Sequence, residues 1–190
     1  MFDRDTVVIY DLEWTSWPGF LDSNWTLPGK HREILQIGAV RLDVAAGFAE
    51  LAAVDILVRP RINSDLSPFI IDLTGLTQDR IDRDGVPFAD ALTGFSAFVG
   101  DAEIASWGPD GDVIAENCDL AGLARPPWFA RGRDIRTPVS THFGFAGPQV
   151  ASSDLPNRLG LAVEGRAHDA LFDARCVAAA LARLRAQGTI

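Results

Sequence analysis

The sequence predicts a mixed α/β fold in a single domain covering residues 1–190. Its N-terminal third contains three apolar runs of strand length, and the last two are joined by a short turn, which favours an antiparallel meander. Beyond Pro60, strand-like and helical patterns alternate, and strands connected through helices normally run parallel. A chain of 190 residues with 47% apolar residues can bury one sizeable core between a sheet and flanking helices.

The first three strands are predicted from short apolar runs bounded by turn residues. They are TVVIYD at residues 6–11, ILQIGAVRLD at 34–43 and LAAVDILVR at 51–59, with a turn near 45–47. Residues 16–32 are rich in Trp, Gly, Pro and polar side chains, so they predict a long loop between the first and second strands.

The remaining elements follow from helical spacing of apolar residues and from two further short strands. Pro87 suits the first turn of a helix, and Gly188 suits the end of the long C-terminal helix. The predicted elements are helical turns at 69–73 and 77–81, a helix at 87–99, a strand at 103–106, a helix at 112–123, a strand at 133–136, short helices at 138–145 and 154–161, and a long helix at 167–187.

The charge and cysteine content exclude several classes of protein. A net charge of −9 is opposite to the basic stripe of a general nucleic-acid-coating protein, although it allows a nucleic acid as substrate where divalent metals reverse the local sign. Cys118 and Cys176 form no CxxC motif, which argues against a zinc knuckle or a disulfide framework and fits a reducing compartment. No basic leader and no apolar run of about 20 residues is present. We therefore expect a cytoplasmic protein without a membrane span.

Two acidic residues stand at the end of the first predicted strand. Asp11 and Glu13 are two residues apart, so on a strand both side chains point to the same face. Desolvated like charges repel, so a cation should lie between them or one of them should hold a proton. With 26 acidic residues in the chain, a solvated strand end is an equally good interpretation of this pair taken alone.

Two other segments place acids where elements begin. In SWGPDGDVIAENC, Asp110 and Asp112 precede a predicted helix, although either could simply cap it. His168 and Asp173 are five apart, about 140° on a helix, so they share a site only if His168 precedes the helix. Carboxylate oxygens suit Mg²⁺ or Mn²⁺ rather than zinc, and paired ions of this kind promote in-line attack on a phosphodiester. A histidine beside them suits a general base.

The order D-x-E, then D, then H-x4-D resembles that of the DEDDh 3′→5′ exonucleases, a family with the ribonuclease H-like fold that includes proofreading subunits, ribonuclease T and oligoribonuclease. The resemblance extends to EILQIGAVRLD, LTGLTQDRID and AHDALFDARCVAAAL, and so covers most of the chain. It implies a mixed five-stranded sheet, with an antiparallel meander plus parallel strands, flanked by helices.

The resemblance also implies roles for individual residues. Asp11 matches the carboxylate that bridges two metal ions, Glu13 and Asp173 match further ligands, and His168 matches the general base. The middle acid is a metal ligand too, and counting back from the helix favours Asp110 over Asp112. A W-G-x-x-D pattern, found in several members, would instead fall on Gly111.

Two residues are predicted near the substrate. Thr15 occupies a position that lies near the terminal nucleotide in the family, or it is a plain strand-end hydroxyl. Leu76 resembles an apolar residue near the terminal base, or it belongs to the core. The aromatic residues that flank Thr15 and follow it in the long loop either stack on bases or form a small core, which is slightly favoured; they are Trp14, Trp17, Phe20 and Trp25.

The implied function is a metal-dependent 3′→5′ exonuclease that removes nucleoside 5′-monophosphates from single-stranded DNA or RNA, using two Mg²⁺ or Mn²⁺ ions. A catalytically inactive binding domain of the same fold and a small-nucleotide phosphohydrolase are the alternatives. Some members of the family are dimers, so the resemblance also allows a homodimer, although no apolar stripe in the sequence marks an interface.

Overall fold

The computed structural model describes residues 1–145 and 150–190, and its centre is a five-stranded mixed sheet. The spatial order is β3-β2-β1-β4-β5, with antiparallel pairing from β1 to β2 and β2 to β3 and parallel pairing from β1 to β4 and β4 to β5. The predicted meander plus parallel strands is therefore confirmed. The strands are β1 (Thr6–Trp14), β2 (Ile34–Asp43), β3 (Ala49–Leu57), β4 (Glu103–Ser106) and β5 (Gly132–Asp134).

Helices lie along the chain between and after the strands. Two short 3-10 turns at Pro127–Arg131 and Ser152–Asp154 carry no strong sequence periodicity and were not predicted. The helices are α1 (Pro68–Thr74), α2 (Gln78–Asp84), α3 (Phe88–Val99), α4 (Asp110–Ala121), α5 (Arg136–His142), α6 (Leu155–Leu159) and α7 (Ala170–Ala186).

Most element boundaries differ from the prediction by a few residues, and three of these differences concern the segments that carry the acidic residues. The strand β1 continues past residue 11 to Trp14 because Glu13 pairs with Gln36 of β2. The helix α4 begins at Asp110, two residues earlier than predicted. The helix α7 begins at Ala170 rather than 167, because the side chain of Asp169 caps it by accepting a hydrogen bond from the Phe172 backbone N–H at 3.0 Å.

Helices cover both faces of the sheet. Apolar residues of α7, with those of the short helix α6 (Leu155–Leu159), pack against one face, where Val7, Ile9 and Val40 are fully buried. Residues of α3 and α4 pack against the other face, around Phe95 and Ile104. The predicted core is thus divided by the sheet into two layers of buried side chains.

A glycine lets α7 approach the sheet closely. A Cβ atom added to Gly38 would lie 2.0 Å from the backbone nitrogen of Leu171, which is far below any normal contact. Gly38 is paired with Asp11 in the sheet. The absent side chain therefore brings the first turn of α7 against the part of the sheet that carries the acidic residues.

The topology collects several chain segments at one edge of the sheet. The strands β1, β4 and β5 run parallel, so their carboxyl ends lie along the same edge, where ligands bind in many open α/β sheets. The helix α4 begins soon after β4 ends. No helix in the described ranges is long and apolar enough to cross a membrane.

The long loop between β1 and β2 forms a small aromatic core of its own. Phe20 is fully buried and lies at a ring-centroid distance of 5.3 Å from both Trp17 and Trp25. At the end of the loop, Arg32 makes an ion pair of 2.7 Å with Glu116 of α4. These contacts favour the core interpretation of the loop aromatics over base stacking.

Candidate active site

Four separate segments deliver acidic or histidine side chains to the shared edge of the sheet. Asp11 and Glu13 lie on β1, and Asp110 is the first residue of α4. Asp173 lies in the first turn of α7, and His168 stands in the loop directly before that helix. All five residues predicted as catalytic or metal-binding therefore come from elements that meet at this edge.

The tightest part of the site is formed by Glu13, His168 and Asp173. One ring nitrogen of His168 and one carboxylate oxygen of each acid all lie within 4.8 Å of one another. The backbone N–H of His168 also donates a hydrogen bond to Oδ2 of Asp173 at 3.0 Å. This arrangement is possible because His168 precedes the helix with a left-handed φ of 63°, which removes the 140° separation expected on a continuous helix.

Burial and mutual repulsion raise the pKa values of the four carboxyl groups. Burial is the main cause that raises the pKa of Asp11, and the charges of Asp110, Glu13 and Asp173 add to it. Burial also raises the pKa of Glu13, with further contributions from Asp173 and Asp110. The pKa of Asp110 and that of Asp173 each rise to about 7, again mainly through burial. The site therefore holds more negative charge than it can keep ionised without a cation.

The residues present fit a divalent metal ion. Oδ1 of Asp173 is buried and has no hydrogen-bond partner among the described residues, so an acceptor is left facing the site. The donors are carboxylate oxygens with one imidazole nearby, which is the ligand chemistry of Mg²⁺ or Mn²⁺ rather than of a structural zinc site. A bound cation would also offset the mutual repulsion of the acids.

The structure separates the two candidates for the middle acid. Asp110 is only 5% exposed, and its charge acts on both Asp11 and Glu13. Asp112 is exposed, two residues and about 200° further around α4, so it lies on a different face of the helix from Asp110. Burial and electrostatic proximity thus favour Asp110, in agreement with the count back from the helix.

His168 is held in a form suited to accepting a proton. It is half-buried, and burial followed by the nearby Arg166 charge lowers its pKa below the ordinary value. Arg166 itself donates hydrogen bonds to the backbone oxygens of Asp72 at 2.8 Å and Leu73 at 3.2 Å. These bonds tie the histidine loop to the end of α1.

Both predicted substrate contacts are buried in the structure. The hydroxyl of Thr15 donates to the backbone oxygen of His31 at 2.6 Å and accepts from the backbone N–H of Glu33 at 3.0 Å. Leu76 is 2% exposed and packs in a small cluster with Leu35 and other apolar residues. Their local contacts explain both residues structurally, and their roles toward a substrate stay predictions.

The sequence analysis did not predict a role for Gln36, a residue of β2 that binds the first residue of α7. Its side chain is fully buried, and its Oε1 accepts a hydrogen bond from the Ala170 backbone N–H at 3.1 Å. Its Nε2 donates to Asp55 at 2.9 Å. Gln36 thus satisfies a free donor at the start of α7 and fixes the helix that carries Asp173. The available signal was a polar residue inside the apolar run ILQIGAV.

Comparisons with known proteins agree with this geometry. Snipper, a 3′-5′ exonuclease of Drosophila melanogaster, is 24% identical over 207 residues, which cover 97% of this chain and 70% of the fly protein. The 3′-5′ exoribonuclease 1 of Homo sapiens is 29% identical over 142 residues, which cover 69% of this chain and 40% of the human protein. The chain therefore matches well under half the length of the human relative.

Solved structures share the fold. The nuclease domain of 3′hExo, described as a DEDDh family member bound to rAMP, superposes with a TM-score of 0.83 at 26% identity, covering 97% of this chain and 94% of that domain. Escherichia coli exonuclease I in complex with a dT13 oligonucleotide superposes with a TM-score of 0.72 at 16% identity, covering 96% of this chain and 41% of that protein. The second likeness concerns the fold alone.

The expected ribonuclease H-like architecture is confirmed by these neighbours. The model of the exonuclease family RNase_T matches residues 8–181, nearly the whole length of the chain. The chain belongs to the RNase_T exonuclease family, as the order of its acidic motifs predicted.

Proposed function

We propose that this chain is a metal-dependent 3′→5′ exonuclease that removes nucleoside 5′-monophosphates from single-stranded DNA or RNA. The observation that carries the proposal is the cluster of four acids and one histidine at a single sheet edge, with pKa values raised by burial and mutual repulsion. The 3′-5′ exonuclease names of the relatives support the direction of cleavage. The rAMP bound to a neighbour supports a nucleotide at the site.

The acids of this chain would hold two Mg²⁺ or Mn²⁺ ions. Asp11, Glu13, Asp110 and Asp173 are the residues that would hold these ions. When bound, such ions stabilise negative charge on the phosphate and on the leaving oxygen. Burial of the acids keeps water from screening these interactions.

His168 would take the proton of the attacking water. The imidazole is neutral because burial and Arg166 lower its pKa, so it can accept a proton near neutral pH. The backbone bond from His168 to Asp173 keeps the ring beside the acids. The base and one proposed metal ligand, Asp173, are therefore positioned by the same turn of chain.

Replacing His168 with alanine tests this assignment. We expect cleavage to fall by about 10²- to 10⁴-fold, because the general base is lost while the carboxylates remain. The measurement uses 5′-labelled single-stranded DNA and RNA oligonucleotides with Mg²⁺, Mn²⁺ or EDTA, and calorimetry of Mn²⁺ binding reports whether the metal site survives.

The outcomes separate the alternatives. A ladder that shortens from the 3′ end in the wild type, abolished by EDTA and weakened in His168→Ala, supports the proposal. Intact oligonucleotides under every metal condition would contradict it and indicate a binding domain. Cleavage of dinucleotides with no gain in affinity for longer strands would instead indicate a small-nucleotide hydrolase.

We also propose that the chain forms a homodimer through the outer edge of β3. This strand is at the edge of the sheet, and Ala49, Leu51 and Ala53 are exposed along it. An uncovered edge offers unpaired backbone donors and acceptors to a second strand. Sedimentation velocity should show a dimer that Leu51→Lys converts to a monomer; a wild-type monomer at all concentrations would contradict this.

A further inference from the structure

We infer that Arg136 binds a backbone phosphate of the substrate strand on the Asp110 side of the site. The inference rests on the proposed function, since it concerns the same substrate. Arg136 is the first residue of α5, and only Ile135 separates it from the end of β5. It therefore follows its parallel strand at the same sheet edge at which Asp110 follows β4.

The guanidinium lies directly against the turn that leads into Asp110. Its Nη1 is 3.5 Å from the position that a Cβ on Gly108 would take, and Gly108 has a φ of 120°. The carboxylate of Asp134 joins the turn at Gly108 to the start of α5. Its Oδ1 accepts from the backbone N–H of Gly108 at 3.0 Å and from that of Arg136 at 2.8 Å. The position of Arg136 relative to Asp110 is thus set by the backbone.

No close ion pair holds the guanidinium of Arg136 within the described ranges, and its charge acts on the nearby Asp110 carboxyl, whose pKa it lowers. Its Nη2 lies 3.8 Å from Oδ2 of Asp134, which is too long for a hydrogen bond, and its side chain is 29% exposed. Within the described ranges, its guanidinium makes no hydrogen bond to another side chain or to the backbone. The planar donors are therefore available to an acceptor from outside.

Three other arginines of the chain have guanidinium donors that are occupied by protein groups. Arg32 is paired with Glu116 at 2.7 Å, and Arg166 binds backbone oxygens at the end of α1. Arg133, two residues before Ile135, is paired with Glu103. Arg136 differs from these three because its nearest carboxylate is held beyond hydrogen-bonding distance.

A phosphate is the ligand that this position suits. The chain has a net charge of −9, and the acids of the site repel a polyanion wherever a metal ion does not cancel them. The guanidinium fork matches two phosphate oxygens at once, and a charge-assisted pair of this kind is stronger than a neutral hydrogen bond. Arg136 would supply this contact beside Asp110, outside the metal ligands.

The first test measures binding and catalysis of Arg136→Gln. We expect the affinity for a single-stranded oligonucleotide in EDTA, followed by fluorescence anisotropy, to fall about 10- to 100-fold. KM should rise by a similar factor, while kcat changes less, because the general base and the metal ligands are intact. Arg136→Lys should recover part of the affinity. Arg83→Gln is the matched control, since Arg83 is exposed on α2 and, among the residues that the structure describes, pairs only with its neighbour Asp84.

A substrate modification distinguishes a phosphate contact from a structural role. Oligonucleotides with one uncharged methylphosphonate are scanned along the last few positions. If Arg136 binds one phosphate, wild type and Arg136→Gln should bind equally when that phosphate is neutral and differ at all others. An equal loss at every position, or no loss in the variant, overturns the inference. A wild-type protein that shows this coupling but no cleavage would instead contradict the proposed exonuclease activity.

Discussion

Asp11→Asn is expected to abolish cleavage and, at the same time, to stabilise the metal-free protein. Activity should fall about 10³-fold or more, because Asp11 is one of the residues that would hold ions that lower the barrier by several kcal/mol. The free energy of unfolding without metal should rise by about 1–2 kcal/mol at pH 8, because one of four mutually repelling carboxylates is removed.

The same variant should flatten the pH dependence of stability, because it lacks one carboxyl group whose pKa the folded state raises. The pKa of Asp110 and that of Asp173 are raised to about 7 from ordinary values of 3.8, so the folded protein binds protons that the unfolded chain releases. Stability rises with pH only where the unfolded state binds more protons, and here the opposite holds. The wild-type protein without metal should therefore lose stability as pH rises from about 4 to about 7.

Urea unfolding in EDTA, at several pH values and again with Mn²⁺, measures these effects. Mn²⁺ should stabilise the wild type at pH 8 and stabilise Asp11→Asn much less, because binding to the folded state adds to its stability. Asp112→Asn is the matched control, since Asp112 is exposed on the same helix as Asp110, and it should behave as wild type. Full activity in Asp11→Asn would overturn the assignment of Asp11.

Gly38→Ala is expected to be the most damaging change of a single methyl group outside the acidic cluster. The new Cβ would lie 2.0 Å from the Leu171 nitrogen and 2.2 Å from the carbonyl carbon of Ala170. Both are backbone atoms, so no side-chain rotation relieves the clash and α7 must move. We expect a loss of about 3 kcal/mol or more in the free energy of unfolding. Activity should fall about 100-fold, since α7 carries Asp173 and follows His168.

Gly94→Ala is the matched control for this substitution. Gly94 lies within α3, and an added Cβ would have its nearest neighbour, a methyl carbon of Ile56, at 3.9 Å. Alanine should stabilise the helix by up to about 1 kcal/mol and leave cleavage unchanged. Thermal unfolding and the oligonucleotide assay report both quantities. Wild-type stability and activity in Gly38→Ala would contradict the close approach of α7 to β2.

Local patterns in the sequence were enough to predict much of the fold and part of the candidate site. The alternation of strand and helix signals after Pro60 predicted the mixed sheet, and the bounds Ile34–Asp43 and Glu103–Ser106 agree with those observed. The two-residue spacing of Asp11 and Glu13 predicted a shared face, because a strand repeats every two residues. These predictions succeeded because each depends only on neighbours along the chain.

The family, the order of the acidic motifs and the sheet that joins them could all be predicted from local sequence patterns. The position of His168, which precedes α7 with a φ of 63° and lies close to Glu13 and Asp173, could not, because it depends on tertiary packing. The same is true of Gln36, which supports the start of α7 through a hydrogen bond between residues 134 positions apart. Contacts of that separation depend on how whole elements pack, and the periodicity of a short segment carries no information about them.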